Sequence, residues 1–291
     1  MSGAIMHTAR GPMRLVEKDW AAMTDAERVR HFEVEGYVVL PKILDTDHIR
    51  RLKEELDDLP MATAPYSEEQ RYSIKPPQWH SNTACETIAH PPLTDFIHQL
   101  MGDDVIFMLG FYITSGAGVP GLTLHSDYQP HGSEQKGWEE SSPATARCLI
   151  YLDDLTPERA PFTILPRSHL SMHSANNPYL RYDDHPDQVT ICLEAGSAIV
   201  FNIRALHGTH PNLSDFRRAM LELAYRPGWA KTAGEVKEWD PEDVARAPEQ
   251  VKRYLRSRNA GPLEDHPYGT VFPGSSVGKV LSGERHPDYQ P

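Results

Sequence analysis

Three tripeptides in this chain pair a histidine with an aspartate two positions on, and such a pair can hold a divalent metal: His125-Ser126-Asp127, His185-Pro186-Asp187 and His286-Pro287-Asp288. Imidazole nitrogen and carboxylate oxygen are both donors to first-row metals. With 15 His in 291 residues, chance alone supplies about one such tripeptide, so context has to choose among them. His125 closes a run, "GLTLHSDY", that reads as a strand, and a strand puts residues i and i+2 on one face. A strand is also the rigid backbone that a ligand set requires. The other two tripeptides carry Pro between the partners, which suits a turn or an edge, and His286 lies close to the last residue, where fraying is expected. A third ligand must come from elsewhere. "GSAIVFNIRALHGTH" offers His207 just beyond an apolar strand, with His210 as its rival. Two His and one carboxylate on one face, with three positions open, form the donor set of non-haem Fe(II) oxygenases.

The elements that would position these residues change character along the chain. "TDAERVRHFEVEG" predicts a helix with Thr24 as N-cap, Glu27 completing a capping box and Gly36 as the stop. The strand "YVVLP" follows. "DTDHIRRLKEELDDLP" predicts a second helix with Ile49, Leu52, Leu56 and Leu59 on one face, and "PLTDFIHQLMG" a third, closed by Gly102. Residues 21–104 thus read as a helical layer with one strand. From 105 to 229 the rhythm is of short β-rich runs between turn residues: "VIFMLGFYI", "LTLHSDY", "ARCLIYL", "FTILP", "VTICLEAGSAIVFNI" and "RRAMLELAYRP". That spacing predicts an antiparallel barrel or double-sheet sandwich. Residues 230–291 are polar, with one helix expected in "PEDVARAPEQVKRYLRS" and then a Pro/Gly-rich tail. The expectation is one domain over 1–291, mainly β with flanking helices.

Five segments together carry a family resemblance. "HSD", "YLDDLTPERAPFTILPRSH" and "GSAIVFNIRALHGTHPNLSDFRR", with "FEVEGYVVLPKILDTDHIRRLKEELDDL" before them and "YRPGW" after, resemble the phytanoyl-CoA dioxygenase family of Fe(II)- and 2-oxoglutarate-dependent oxygenases over residues 30–229. The resemblance implies a double-stranded β-helix, the cupin-like jelly roll, with iron at its mouth. It implies His125, Asp127 and His207 as ligands, because "HGTHPNLSDFRR" fits the family pattern only with His207 as the distal histidine. It further implies that Arg218 pairs with the distal carboxylate of 2-oxoglutarate and that Thr209 adds a hydroxyl. A planar guanidinium suits that task, since it meets a carboxylate through two parallel hydrogen bonds. Arg217 is adjacent, but strand neighbours face opposite sides, so only one of the two can enter the barrel. The implied cofactors are Fe(II), 2-oxoglutarate as cosubstrate and O2. The implied reaction is oxidation, usually hydroxylation, of an unactivated carbon in a small molecule, with release of succinate and CO2.

The chain departs from the family pattern in two loops: Arg159-Ala160 stands where Asn-Gly is usual, and Arg167 replaces the Gly of Pro-Gly-Ser-His. Asp127 is present where related halogenases lack their carboxylate, which disfavours halogenation. The segments "KPPQWHSN" and "YQPHGSEQKGW" correspond to substrate loops and put forward Trp79, His80, Tyr128, His131 and Trp138 as substrate contacts.

Composition narrows the partners. A net charge of -12 without a Lys/Arg run argues against nucleic acid or an anionic membrane surface. The first residues, "MSGAIMHTARGPMRLVEKDW", have no apolar core of a signal peptide, and no stretch approaches the roughly 18 apolar residues of a membrane span, so a cytoplasmic protein is expected. Cys85, Cys148 and Cys192 are isolated and fit neither a disulfide framework nor a Cys-x-x-Cys site. Two other functions have a foothold. "GSSVG" around Ser276 matches a nucleophile elbow with His286 downstream, but Pro and Gly flank it where a strand and a helix are required. A non-catalytic jelly roll that binds a ligand or metal would share the fold and lack redox turnover.

Overall fold

The computed structural model describes residues 13–127, 145–170, 185–230 and 235–261. Two antiparallel sheets form the core of a double-stranded β-helix. The larger runs β1 (Tyr37–Leu40), β9 (Ala198–Asn202), β6 (Ala146–Tyr151), β11 (Arg218–Pro227), β4 (Val105–Ser115), β3 (Ser67–Ser73) and β2 (Met61–Ala64). The smaller runs β5 (Leu122–His125), β10 (His207–Thr209), β7 (Phe162–Ile164) and β8 (Val189–Ile191). Phe162 of the smaller sheet packs on Phe201 of the larger at 5.4 Å between ring centroids, so apolar side chains fill the space between the layers.

Helices cover the outer face of the larger sheet. In α1 (Asp25–Glu35) the capping box is present: the Thr24 hydroxyl accepts from Glu27 N–H, and the Glu27 carboxylate accepts from Thr24 N–H. Gly36 ends it in the left-handed region, φ 86°, where a side chain would be strained. In α2 (Thr46–Leu56) the Asp45 side chain accepts from His48 N–H, and Leu52 and Leu56 are fully buried. Pro occupies the first turn of α4 (Pro91–Met101), and Gly102 closes it. Between these last two lies the short α3 (Asn82–Thr87), capped by Ser81. Strand β11 is buried along its whole length because helices lie behind it and the smaller sheet in front.

The structure corrects two expectations. The segment read as a helical layer with one strand also contributes the hairpin β2–β3, whose Tyr72 pairs with Ile113 of β4. Its sequence, "MATAPYSEEQRYS", lacks an apolar alternation, and pairing with a strand distant in sequence supplies what local propensity does not. The single helix expected in 241–257 is two, α5 (Pro241–Arg246) and α6 (Glu249–Lys252). Pro248 breaks it, since the residue before a proline is pushed out of helical geometry and Ala247 is extended at ψ 149°. Within the run "VTICLEAGSAIVFNI" the turn falls at Gly196, as its sequence suggests, and the strands on either side, β8 and β9, lie in different sheets.

Candidate metal centre

Strand β10 lies between β5 and β7, and its first residue, His207, stands directly opposite His125, the last residue of β5. A glycine makes this close approach possible: a Cβ on Gly208 would lie 2.3 Å from the Leu122 carbonyl oxygen. Asp127 follows β5 rather than lying within it, and Ser126 anchors the segment by donating its hydroxyl to the Ile203 carbonyl at 3.1 Å. The donor atoms of His125, Asp127 and His207 all fall within 4.8 Å of one another.

Hydrogen bonds fix how these side chains present themselves. Nδ1 of His125 lies 2.9 Å from the Thr123 carbonyl, and Nδ1 of His207 lies 3.0 Å from the Ala205 carbonyl. A carbonyl only accepts, so both Nδ1 atoms carry the proton and both Nε2 atoms keep a lone pair. Those lone pairs meet Asp127, with His125 Nε2 at 3.6 Å from Oδ1 and His207 Nε2 at 3.5 Å from Oδ2. Both distances are too long for good hydrogen bonds. They suit donors grouped around a cation, where bonds of about 2.1 Å would bring adjacent donors to about 3 Å with a small inward rotation. Burial, reinforced by His125, pushes the His207 imidazole down to about 4, which keeps it neutral and able to ligate at neutral pH. Phe201 and Phe162 pack on its ring at 4.4 and 5.7 Å and hold it in place.

The rivals sit elsewhere. His210 is buried and its Nε2 is 2.9 Å from the Thr190 hydroxyl of β8. His185 lies in a turn, where its Nδ1 accepts from Asp187 N–H. Ser276 and His286 lie outside the described residues.

The two neighbouring arginines part as strand alternation requires. Arg217 is exposed and pairs with Asp57 on the helix-covered side at 2.7 Å, whereas Arg218 is 2% exposed. Arg218 donates from Nη2 to the Ser115 hydroxyl at 2.9 Å and from Nη1 to Met220 Sδ at 3.0 Å, and its Nε has no partner. Its guanidinium lies over the ring of Tyr151, whose buried hydroxyl also lacks a partner. No carboxylate among the described residues is ion-paired with Arg218. A buried cation with an unused donor, beside an unused hydroxyl, fits an anion with several acceptor oxygens. Thr209 is half-buried in β10, and its hydroxyl accepts the Leu122 N–H at 3.3 Å.

Of the expected substrate contacts, Tyr128, His131 and Trp138 lie outside the described residues. Trp79 packs edge-on against Trp239 at 5.7 Å, which in turn stacks on Phe107, and His80 is exposed. The sequence reading missed Arg147 of β6 and Glu222 of β11. Glu222 is buried and Arg147 partly so, the two are ion-paired to each other, and Arg147 Nε also lies 3.4 Å from Asp127 Oδ2. One charge of each sign inside an apolar strand, in "ARCLIYL" and "RAMLELAYRP", was the available signal.

A sequence profile of the phytanoyl-CoA dioxygenase (PhyH) family matches residues 32–220. The chain belongs to this family. Among relatives of the phytanoyl-CoA dioxygenase family, the ectoine dioxygenase of Sphingopyxis alaskensis is 25% identical, over 72% of this chain and 79% of its own. The structure of HygX from Streptomyces hygroscopicus with nickel and 2-oxoglutarate bound superposes with a TM-score of 0.60 at 18% identity, covering 74% of this chain and 93% of that one. The epimerase SnoN, in complex with Fe3+, alpha ketoglutarate and nogalamycin RO, superposes with a TM-score of 0.61 at 19% identity, covering 85% and 98%. These likenesses establish the fold.

Proposed function

We propose that His125, Asp127 and His207 hold Fe(II), that Arg218 receives the distal carboxylate of 2-oxoglutarate, and that the protein oxidises a carbon of a small polar molecule. The protein is an iron- and 2-oxoglutarate-dependent dioxygenase. The observation that carries the residue assignment is the pair of imidazoles, each locked by a backbone carbonyl with its Nε2 lone pair turned to one carboxylate. Membership of the phytanoyl-CoA dioxygenase family supports reading this set as that of an oxygenase. HygX has also been solved with hygromycin B bound, and the names of the other relatives carry ectoine and nogalamycin, so a small-molecule substrate is the class proposed here.

Bound in this site, Fe(II) with 2-oxoglutarate and dioxygen supplies the oxidising power to break a C–H bond, the cosubstrate leaving as succinate and CO2. The residues do the positioning. Thr123 and Ala205 carbonyls set the imidazole tautomers, and two histidines with one aspartate leave room for a two-donor cosubstrate and dioxygen. Arg218, held by Ser115 and by the ring of Tyr151, fixes the far end of the cosubstrate, with the Tyr151 and Thr209 hydroxyls as further donors. Phe162 and Phe201 keep water from the histidine side of the site.

The test is anaerobic addition of Fe(II) and 2-oxoglutarate to the purified protein, with the visible charge-transfer absorption of the chelate as readout, followed by succinate measurement after oxygen is admitted. His207→Ala is expected to abolish the absorption, and His210→Gln and His286→Ala to retain it. Absorption that survives His207→Ala and disappears with His210→Gln overturns the ligand assignment.

A further inference from the structure

The largely buried pair Arg147–Glu222 is not explained by metal binding or by cosubstrate binding alone. Arg147 leaves the larger sheet from β6 and Glu222 from β11, with side chains 16% and 9% exposed. Their guanidinium and carboxylate are ion-paired through Nη1 and Oε1, and the Nε edge of the same guanidinium reaches Asp127 Oδ2 at 3.4 Å. One planar group thus joins a carboxylate of the larger sheet to the candidate ligand carboxylate that follows β5 of the smaller sheet.

Asp127 needs such a partner. Its two oxygens each face a different imidazole, at 3.6 and 3.5 Å, so the carboxylate could close on a cation with both oxygens. A second oxygen on the metal would occupy one of the three positions that a two-donor cosubstrate and dioxygen require. The contact is ionic, since Nε lies 3.4 Å from Oδ2 and makes no hydrogen bond, and the positive charge beside Oδ2 draws that oxygen and favours ligation through the other.

Resting on the iron site proposed above, we propose that Arg147 is a positioning residue that holds Asp127 as a single-oxygen ligand, and that Glu222 is the counter-ion that keeps the guanidinium in place. The pair carries no net charge, so replacing both members leaves the local charge unchanged and removes only the hold on Asp127. Removing one partner of a buried pair strands the other, whereas replacing both is often tolerated. This separates positioning from simple support of the fold.

The decisive variant is therefore Arg147→Met with Glu222→Gln, titrated with Co(II) and followed by the d–d absorption, alongside thermal unfolding. The expected result is unfolding close to that of the unsubstituted protein, a Co(II) dissociation constant raised about 10- to 100-fold, and a changed band shape. Arg147→Lys provides a second arm: a lone ammonium cannot bridge two carboxylates in one plane, so it is expected to raise the constant about 10-fold with the charge retained. Variants that fold and bind Co(II) within about threefold of the unsubstituted protein, with its band shape, overturn the inference alone. An unsubstituted protein that binds no Co(II) overturns the metal site and the inference together.

Discussion

The proposed role of Arg218 rests on the donors its burial leaves unused. Removing a guanidinium from water is costly, and two donor contacts, one of them to a thioether, offset little of that cost. A carboxylate in front of Nε and the Tyr151 hydroxyl would offset the rest. Arg218→Lys keeps the charge and loses the planar fork. The expected result is a 2-oxoglutarate dissociation constant raised roughly 10- to 100-fold, as for loss of charge-assisted hydrogen bonds. Metal affinity should stay unchanged. Titrating the anaerobic Fe(II) protein with 2-oxoglutarate checks both, and a shift below about threefold would remove Arg218 from the cosubstrate site. At this scale the sequence was informative: alternation on β11 separated Arg218 from Arg217, and the structure turns them to opposite faces. Two family glycine positions are more instructive. Ala160 and Arg167 stand where the family pattern has glycine, and both adopt left-handed backbone, φ 49° and 65°. The loops keep the path that glycine would ease, at the steric cost of a Cβ.

Elements with local stop and start signals were legible, and those that depend on distant partners were not. The capping box of α1 and the glycines after α1 and α4 act within a few residues of chain. The β2–β3 hairpin exists because β4 offers it an edge, and no local pattern announces that. Packing of α2 on α3 also has a titratable consequence. His48 is buried and its Nε2 is 2.8 Å from the Thr87 hydroxyl, whose own proton goes to the Thr83 carbonyl at 2.7 Å. His48 therefore donates through Nε2. Burial first, then the nearby His90 and Arg51, push it down to about 4. The unfolded chain, near 6.5, then binds the proton more readily, so this contribution to stability is complete above pH 6.5 and lost as pH falls toward 4. His48→Gln, which retains a donor for Thr87, is expected to flatten the fall of Tm over that window. Thermal unfolding at a series of pH values checks it, and parallel profiles would exclude His48 as a contributor.

For the whole molecule, the two sheets divide the work. The smaller sheet and the segment after β5 present the three proposed metal donors, while the larger presents Arg218, Tyr151, Arg147 and Glu222. Arg226 closes the far end of β11 by donating to the carbonyls of Pro227, Ala230, Arg258 and Ala260, which ties the segment after α6 to the barrel. A ligand that joins both sheets should stabilise them together. With Fe(II) and 2-oxoglutarate each in hundredfold excess over its dissociation constant, each is expected to add about 2.7 kcal/mol, or roughly 5–10 °C in Tm per ligand. Anaerobic calorimetry with and without a chelator measures this, and His207→Ala should abolish the rise. An equal rise in that variant would mean that the stabilising ligand binds elsewhere. Among the described residues no helix is long and apolar enough to cross a membrane.

What the sequence determined by itself is whatever rests on short-range order: the capped helices, the β-rich middle, the His-x-Asp that starts at the last residue of a strand, and the positions of His207 and Arg218 on the strands that follow. What only tertiary structure decided is which groups meet. Residues 125, 147, 207 and 222 come from four strands in two sheets, and neither their distance nor their ionic pairing is written in the spacing between them. The carbonyls that set both tautomers, the arginine held between two carboxylates and the unused donor of Arg218 arise from burial. Burial makes an unpaired polar group costly, and it exists only once the sheets have closed.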